Sequence, residues 1–387
     1  MISIENFYWA LHQNLLDPLE IDARYYYPWG TQNNLSRSEF RPFYRKYHLN
    51  HVLFHDQEPF WGNHLGKIYD SECGVEWSRF EFLKILANSE WSNIKKQICK
   101  DRHILDWYYF YHGFAALDWY RDAQYINTDH DVVNAFISLN HTITHDRSYR
   151  IALLARLINR DIVSRGQTSW HADLNTTMQE IENAHNYLSY RNRVLCCDAF
   201  RRCKDLPWRL DNVKIDGNLS AHFGHGEYRL WQRSLLHVVN ETVFYQSKLH
   251  LTEKIFKPIV AQRPFILVAA SGNLAYIRSY GFQTFSSWID ESYDEIQDPD
   301  ERLDAIAKEI SRFAAMSISE LNNIRRDMQS VLTFNKQHFF GEFRNLIVNE
   351  LVDNFDQCIR IWNNGRMDSR ELPLHPDLDG VKRILLS

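Results

Sequence analysis

The sequence predicts an α/β chain of two domains built on parallel sheets, followed by a helical C-terminal part. Three observations point there. Short apolar runs without inside–outside alternation recur at His51–His55, Leu235–Val239 and Phe265–Ala270, the pattern of strands covered on both faces. Amphipathic segments with helical spacing lie near these runs, as in strand–helix–strand units. The length of 387 residues exceeds one domain of ordinary size. The expected divisions are 1–128, 129–335 and 336–387, the last packing back on the N-terminal domain.

From the N-terminus, His51–His55 (HVLFH) ends in Asp56-Gln57-Glu58-Pro59, where the proline stops regular structure. Phe80–Ser89 is mixed apolar. Trp107–Trp119 is aromatic-rich around His112-Gly113, and its Trp107–Tyr111 run reads as core rather than a stacking platform. A second α/β pattern begins near residue 130. Val132–Leu139 holds a strand, and Asn140–Asp146 is polar. Arg147–Asn159 is then an amphipathic helix, with Ile151, Leu154, Ala155 and Ile158 at helical spacing and Asp146 as its N-cap.

After a polar, histidine-bearing stretch come the strand Leu235–Val239 and a short helix capped by Thr252. In that helix the pairs Ile255/Phe256 and Ile259/Val260 share a face. Gln262-Arg263-Pro264 breaks it, and Phe265–Ala270 is the next strand. Leu303, Ile306, Ile310 and Phe313 mark a helical face, Ser317 with Glu320 forms a capping box, and Phe339–Trp362 is a long helix. The polar tail from Arg366 reads as a surface extension.

Composition narrows the function classes. With 12 Trp, 20 Tyr and 23 Phe the chain can bury a sizeable core, which excludes wholesale disorder. A net charge of -5 excludes a uniformly basic nucleic-acid binder, though not a local basic groove. No window approaches 18 apolar residues, and the N-terminus lacks a basic leader region, so a cytoplasmic chain with no membrane span is expected. Cys73, Cys99, Cys196, Cys197, Cys203 and Cys358 form no paired CxxC motifs and are expected as reduced thiols.

Three constellations could carry chemistry. Asp56 and Glu58 follow a strand end, where open α/β sheets bind ligands. A carboxylate there can act as general base if burial raises its pKa; the competing reading is turn capping. Arg147 and Arg150 lie three apart at a helix start, beside its partial positive charge, where a phosphate or an acidic neighbour would explain them. Glu253, Lys254 and Lys257 open the short helix after Asn240-Glu241-Thr242, and a lysine at such an end favours phosphate or diphosphate. Its alternative is a capped surface helix with solvated charges.

The order of these motifs resembles that of the alpha-1,3-fucosyltransferase family. Its strand ending Phe-Glu-Asn-Ser, followed by Tyr-Val-Thr-Glu-Lys and a helix, is similar to Val239-Asn240-Glu241-Thr242 and His250-Leu251-Thr252-Glu253-Lys254-Ile255 here. Its upstream strand, arginine-bearing loop and helix resemble Phe136–Asn140 through Arg147 to Leu157. Its strand ending Glu-Ser-Pro resembles Leu53–Pro59. The match spans residues 51 to about 290. His250 stands where the family has tyrosine, and Asn240-Glu241-Thr242 departs from Glu-Asn-Ser. Gly281–Phe285 through Asp290–Asp294 also resembles glycosyltransferase-like proteins encoded by bacteriophages, which implies a viral or bacterial setting.

The resemblance implies two Rossmann-like domains facing across a cleft (GT-B type). It implies Glu253 on the ribose of a nucleoside-diphosphate sugar, Lys254 with Arg147 or Arg150 on its phosphates, and Glu58 as general base. The combined reading is a metal-independent, inverting glycosyltransferase without a cofactor. Its donor side comprises Arg147, Arg150, Asn240, Glu241, Thr252, Glu253, Lys254 and Lys257, and its acceptor is a glycan or another hydroxyl, a hydroxylated DNA base included. The alternative is a non-catalytic nucleotide-sugar or nucleic-acid binding protein on the same scaffold. Asp129-His130-Asp131 resembles an Asp-x-Asp metal motif, and His222, His225 and Glu227 have metal-ligating side chains, but a chance triplet and a surface loop are the simpler readings.

Overall fold

The computed structural model describes residues 4–25, 50–60, 82–203, 205–210, 227–365 and 373–387. Cys73, His222, His225 and the start of the tail at Arg366 lie outside them. The chain forms two units, one of residues 1–121 with 341–387 and one of 122–340. Each carries a four-stranded, wholly parallel sheet.

The first unit contains α1 (Ile4–Leu11), β1 (Ile21–Tyr25), β2 (Asn50–His55), β3 (Lys84–Asn88), α2 (Asn93–Asp101), β4 (Leu105–Tyr108) and α3 (Tyr111–Trp119). Its strands pair in sequence order, with Leu53 beside Leu86 and Leu86 beside Asp106. β2 and β3 are buried almost throughout, as expected of strands covered on both faces. Leu53, Phe60, Leu86, Cys99 and Ile104 form one apolar cluster. On β1 and β2, Tyr25 stacks on Phe54 with ring centroids 4.7 Å apart. Trp107–Tyr111 is core. The Trp107 indole donates to the Leu351 carbonyl at 3.0 Å and its ring lies 4.7 Å from Phe355, both on the Glu342–Asn364 helix.

That helix starts at Glu342 rather than Phe339, because Gly341 separates it from the preceding helix, Gln329–Phe340. The tail also differs from the expected surface extension. Its last segment, Leu378–Leu386, is an amphipathic helix that buries Val381 and Leu385 and packs against α1. Asp377 caps it by accepting from the Gly380 amide at 2.8 Å.

The second unit runs through β5 (Asn134–Ser138), α4 (Tyr149–Asn159), β6 (Gly166–Thr168), α5 (Leu174–Asn183), α6 (Tyr190–Arg201), α7 (Glu227–Gln232), β7 (Ser234–Asn240), α8 (Phe256–Val260), β8 (Phe265–Val268) and α9 (Asn273–Ser279). The helices Pro299–Ala314, Ile318–Asp327 and Gln329–Phe340 complete it. Ser317 and Glu320 form the expected capping box. Asp146 does not cap α4. A 3-10 turn, His145–Arg147, intervenes, and Asp146 lies within it. β8 stops at Val268, two residues short of the expected strand end.

The strand order here is β6-β5-β7-β8, with Ser138 beside both Thr168 and Val238, and Asn240 beside Val268. β5 thus has later strands on both sides, so the winding reverses between β6 and β7. β6 sits close against its neighbour: a Cβ added at Gly166 would lie 2.5 Å from the Phe136 ring. Gly166→Ala is therefore expected to cost about 1–3 kcal/mol through overpacking, read as a lower urea midpoint at unchanged slope.

Candidate functional site

In open parallel sheets ligands bind beyond the carboxyl ends of the strands where the winding reverses. Here that place is the end of β5 and β7, and most of the donor-side candidates follow these two strands. Arg147 lies on the 3-10 turn before α4, half-buried. Asn240 ends β7, and Glu241, Thr252, Glu253 and Lys254 follow it.

The floor is a polar cluster contributed by three strand ends. The Asn240 side-chain amide donates to Ser138 Oγ at 3.1 Å and to Asn140 Oδ1 at 3.1 Å. The Asn140 amide N–H donates to Ser169 Oγ at 2.9 Å. All four side chains are buried, and among the described residues Asn240 Oδ1 has no hydrogen-bond partner. Of these residues sequence reasoning found Asn240 alone. The others carried one signal, a polar residue ending each apolar run.

Arg150 faces inward. Its guanidinium donates to the carbonyls of Thr142 (2.8 Å), Asn240 (2.9 Å) and Glu241 (3.1 Å) and to the Tyr149 hydroxyl (3.3 Å). Its role here is to tie the loop after β5 to the end of β7. Burial pushes the Tyr149 phenol up, against the pull of Arg150. Tyr149 donates to the Glu241 carbonyl at 2.5 Å and so reinforces the same junction.

Glu241 is fully buried. Its carboxylate accepts from the Thr252 hydroxyl at 2.6 Å, the Thr252 amide at 3.2 Å and the Thr242 amide at 3.3 Å. Burial pushes this carboxyl up, and the Lys254 ammonium and the Thr252 hydroxyl oppose that. Glu241 is thus the inner brace of the Thr252–Lys254 turn. Thr252 caps the turn as expected, accepting from the Lys254 amide. The Lys254 ammonium lies 2.9 Å from Thr252 Oγ1 and 3.3 Å from Glu253 Oε1. Its side chain is 33 % exposed and that of Glu253 is 18 %.

The helix behind this turn is shorter than the sequence suggested. A three-residue 3-10 turn, Glu253–Ile255, leads into the five residues of α8. So short an element has little macrodipole, and attraction for an anion rests on the Lys254 charge itself. Lys257 lies with its ammonium 4.9 Å from the Trp231 ring centroid, a cation–π contact that orients it toward α7.

The first unit gathers carboxylates at the ends of its strands. Glu58 is half-buried in the turn after β2. Asp56, two residues earlier, is fully buried and accepts on Oδ2 from the Tyr8 hydroxyl at 3.0 Å and the Tyr109 hydroxyl at 2.5 Å. Burial raises its pKa to about 6, with both phenols opposing. Glu90 Oε2 accepts from the Phe60 amide at 2.8 Å, and the Ser89 hydroxyl donates to the Asp56 carbonyl at 2.6 Å. The burial that could tune a base in the DQEP turn therefore falls on Asp56. Tyr8 lies 48 residues away in sequence and Tyr109 lies 53, so no local pattern announced them.

Asp129 and Asp131 both lie near Arg325, at 3.1 and 3.8 Å from its guanidinium, ahead of β5. Among the described residues no group of three or more His, Cys, Asp or Glu side chains is placed to hold a metal. None of their helices is long and apolar enough to cross a membrane. No protein-family model, no characterised protein and no solved structure matches this chain.

Proposed function

We propose that the protein is a glycosyltransferase that moves a sugar from a nucleoside diphosphate to an acceptor hydroxyl. The observation that carries this reading is the reversal of strand order in the second sheet, with Arg147 and Lys254 on the segments that follow its two reversal-point strands. Parallel sheets collect nucleotides at such points, and two side-chain cations suit a diphosphate better than a neutral ligand. Arg147 and Lys254 bind the diphosphate and stabilise the charge that grows on it as the glycosidic bond breaks. Glu253, beside Lys254, accepts from the ribose hydroxyls. Arg150, Glu241 and Asn240 hold the frame. The two Rossmann-like domains of a GT-B enzyme are the fold this reading requires.

In the first unit Glu58 takes the proton from the acceptor hydroxyl as it attacks the sugar carbon. A single displacement of this kind inverts the anomeric centre. The supporting fact is a carboxylate in the turn beyond a central parallel strand, held among buried hydrogen bonds.

Thermal shifts with GDP-, UDP-, CMP- and ADP-linked sugars test the donor assignment. One of them is expected to stabilise the protein by about 2.7 kcal/mol at a hundred times its Kd, because it binds the folded state alone. Lys254→Ala is expected to weaken that ligand about 10- to 100-fold, the loss of one charge-assisted contact of about 1.5–3 kcal/mol. Equal affinity in the variant would remove Lys254 from the phosphate site.

A further inference from the structure

The turn that carries Glu58 is held mostly by side chains rather than by sheet hydrogen bonds. The Tyr8 hydroxyl donates to Asp56 Oδ2 and accepts from the Gln57 side-chain amide at 3.4 Å. The Tyr109 hydroxyl donates to the same Asp56 oxygen. His112 Nε2 lies 3.0 Å from the Gln57 carbonyl, Ser89 binds the Asp56 carbonyl, and Glu90 takes the Phe60 amide. Asp56 is fully buried, and among the described residues its second carboxyl oxygen, Oδ1, has no hydrogen-bond partner.

We propose that Asp56 is the positioning residue of this turn: its carboxylate, clasped by the Tyr8 and Tyr109 hydroxyls, fixes residues 56–60 and with them Glu58, and protonation releases the clasp. The proposal rests on Glu58 being the base only for its catalytic consequence; the clasp itself is a property of the first unit.

The chemistry follows from donor and acceptor counting. An ionised carboxylate accepts both phenol protons on Oδ2. A protonated one must place its own hydrogen. Oδ1 carries no hydrogen bond as it stands, and a proton placed there removes the negative charge that strengthens the two bonds on Oδ2. On Oδ2 it requires one phenol to turn from donor to acceptor and send its own hydrogen elsewhere, and at Tyr8 that rotation disturbs the Gln57 amide bonded to the same oxygen. Loss at Asp56 thus reaches Gln57, the neighbour of Glu58.

The titratable groups facing the clasp are Tyr8 and His12 from the N-terminal segment, Tyr25 from β1 and His55 from β2. Glu58 in the turn, Glu90 after β3, and Tyr109, Tyr111 and His112 after β4 are the others among the described residues. His12 is held neutral by burial, its pKa lowered to about 4, and pairs with the Tyr25 hydroxyl, so it offers Asp56 no counter-charge. Burial raises the Asp56 pKa to about 6, which puts the release between neutral and mildly acid pH. The sign is fixed by that direction: the folded state favours the protonated form, so this group's contribution to global stability grows as pH falls through 6 while the turn itself loosens.

Hydrogen–deuterium exchange of the full-length protein at pH 5.0 and 7.5, corrected for intrinsic exchange, tests this. In the wild type the 53–60 peptide is expected to exchange about tenfold faster at pH 5.0, the loss of one hydrogen bond to a charged group. Asp56→Asn and, separately, Tyr109→Phe are expected to exchange faster at pH 7.5. Asp56→Asn should show no remaining pH step. A wild-type peptide equally protected at both pH values overturns the proposal, and so does a pH step that persists in Asp56→Asn. If Glu58→Gln keeps full turnover while these exchange results hold, the base assignment fails and the clasp stands.

Discussion

Replacing Glu58 with glutamine is expected to slow sugar transfer by about 10²- to 10⁴-fold, the contribution of a positioned general base. The amide keeps the shape of the carboxylate but cannot take the acceptor proton. Donor affinity should stay within about twofold of wild type, because the assigned phosphate contacts belong to Arg147 and Lys254, and twofold is under 0.5 kcal/mol. Single-turnover transfer rates and donor titration separate the two quantities. Turnover near the wild-type value would remove Glu58 from the chemistry and leave Asp56 and Glu90, the other carboxylates at those strand ends, to test.

The largest stability effect is expected at Arg263. This side chain is 1 % exposed, and its guanidinium makes five hydrogen bonds to four carbonyls: Gln232 at 3.1 and 2.7 Å, Thr128 at 3.1 Å, Gln262 at 2.9 Å and His130 at 3.0 Å. It therefore ties the approaches to β5, β7 and β8 together, all on the side of the sheet opposite the candidate site. Arg263→Ala leaves those carbonyls without their donors in a partly buried place and opens a cavity, and is expected to cost about 3–5 kcal/mol. Arg263→Lys should recover little, since a lysine offers three donors from one point rather than a planar fork. Urea unfolding of both variants gives the answer, and a loss below about 1 kcal/mol in Arg263→Ala would contradict the brace.

Much of the fold was legible because the signals were local. The β2, β7 and β8 runs are short, apolar and bounded by polar or proline-bearing turns, and Ser317 with Glu320 announces its helix within four residues. β6 was not legible: three residues, Gly166–Thr168, carry no periodicity. β1 was hidden by Asp22 and Arg24, polar residues inside a five-residue strand. The terminal helix has its apolar pair, Val381 and Leu385, four apart, but the proline-bearing tail before it masked the pattern.

The site divides in the same way. Arg147 and Lys254 could be named from sequence because each sits beside a strand–turn–helix boundary. That Arg150 and Glu241 would turn inward was not readable, since their partners lie 90 residues and 11 residues away. The same distance in sequence hid the phenols that clasp Asp56. Arg263 looked like part of a helix break, and two of its five hydrogen bonds reach carbonyls more than 130 residues away, at Thr128 and His130.

Photo-labelling with an azido nucleoside diphosphate, followed by peptide mapping, tests the central claim most directly. Label is predicted within residues 138–150 and 240–257, competed by the unmodified nucleoside diphosphate and weakened in Lys254→Ala. Competed label confined to other segments, with these two unmarked, would contradict a donor site at the ends of β5 and β7.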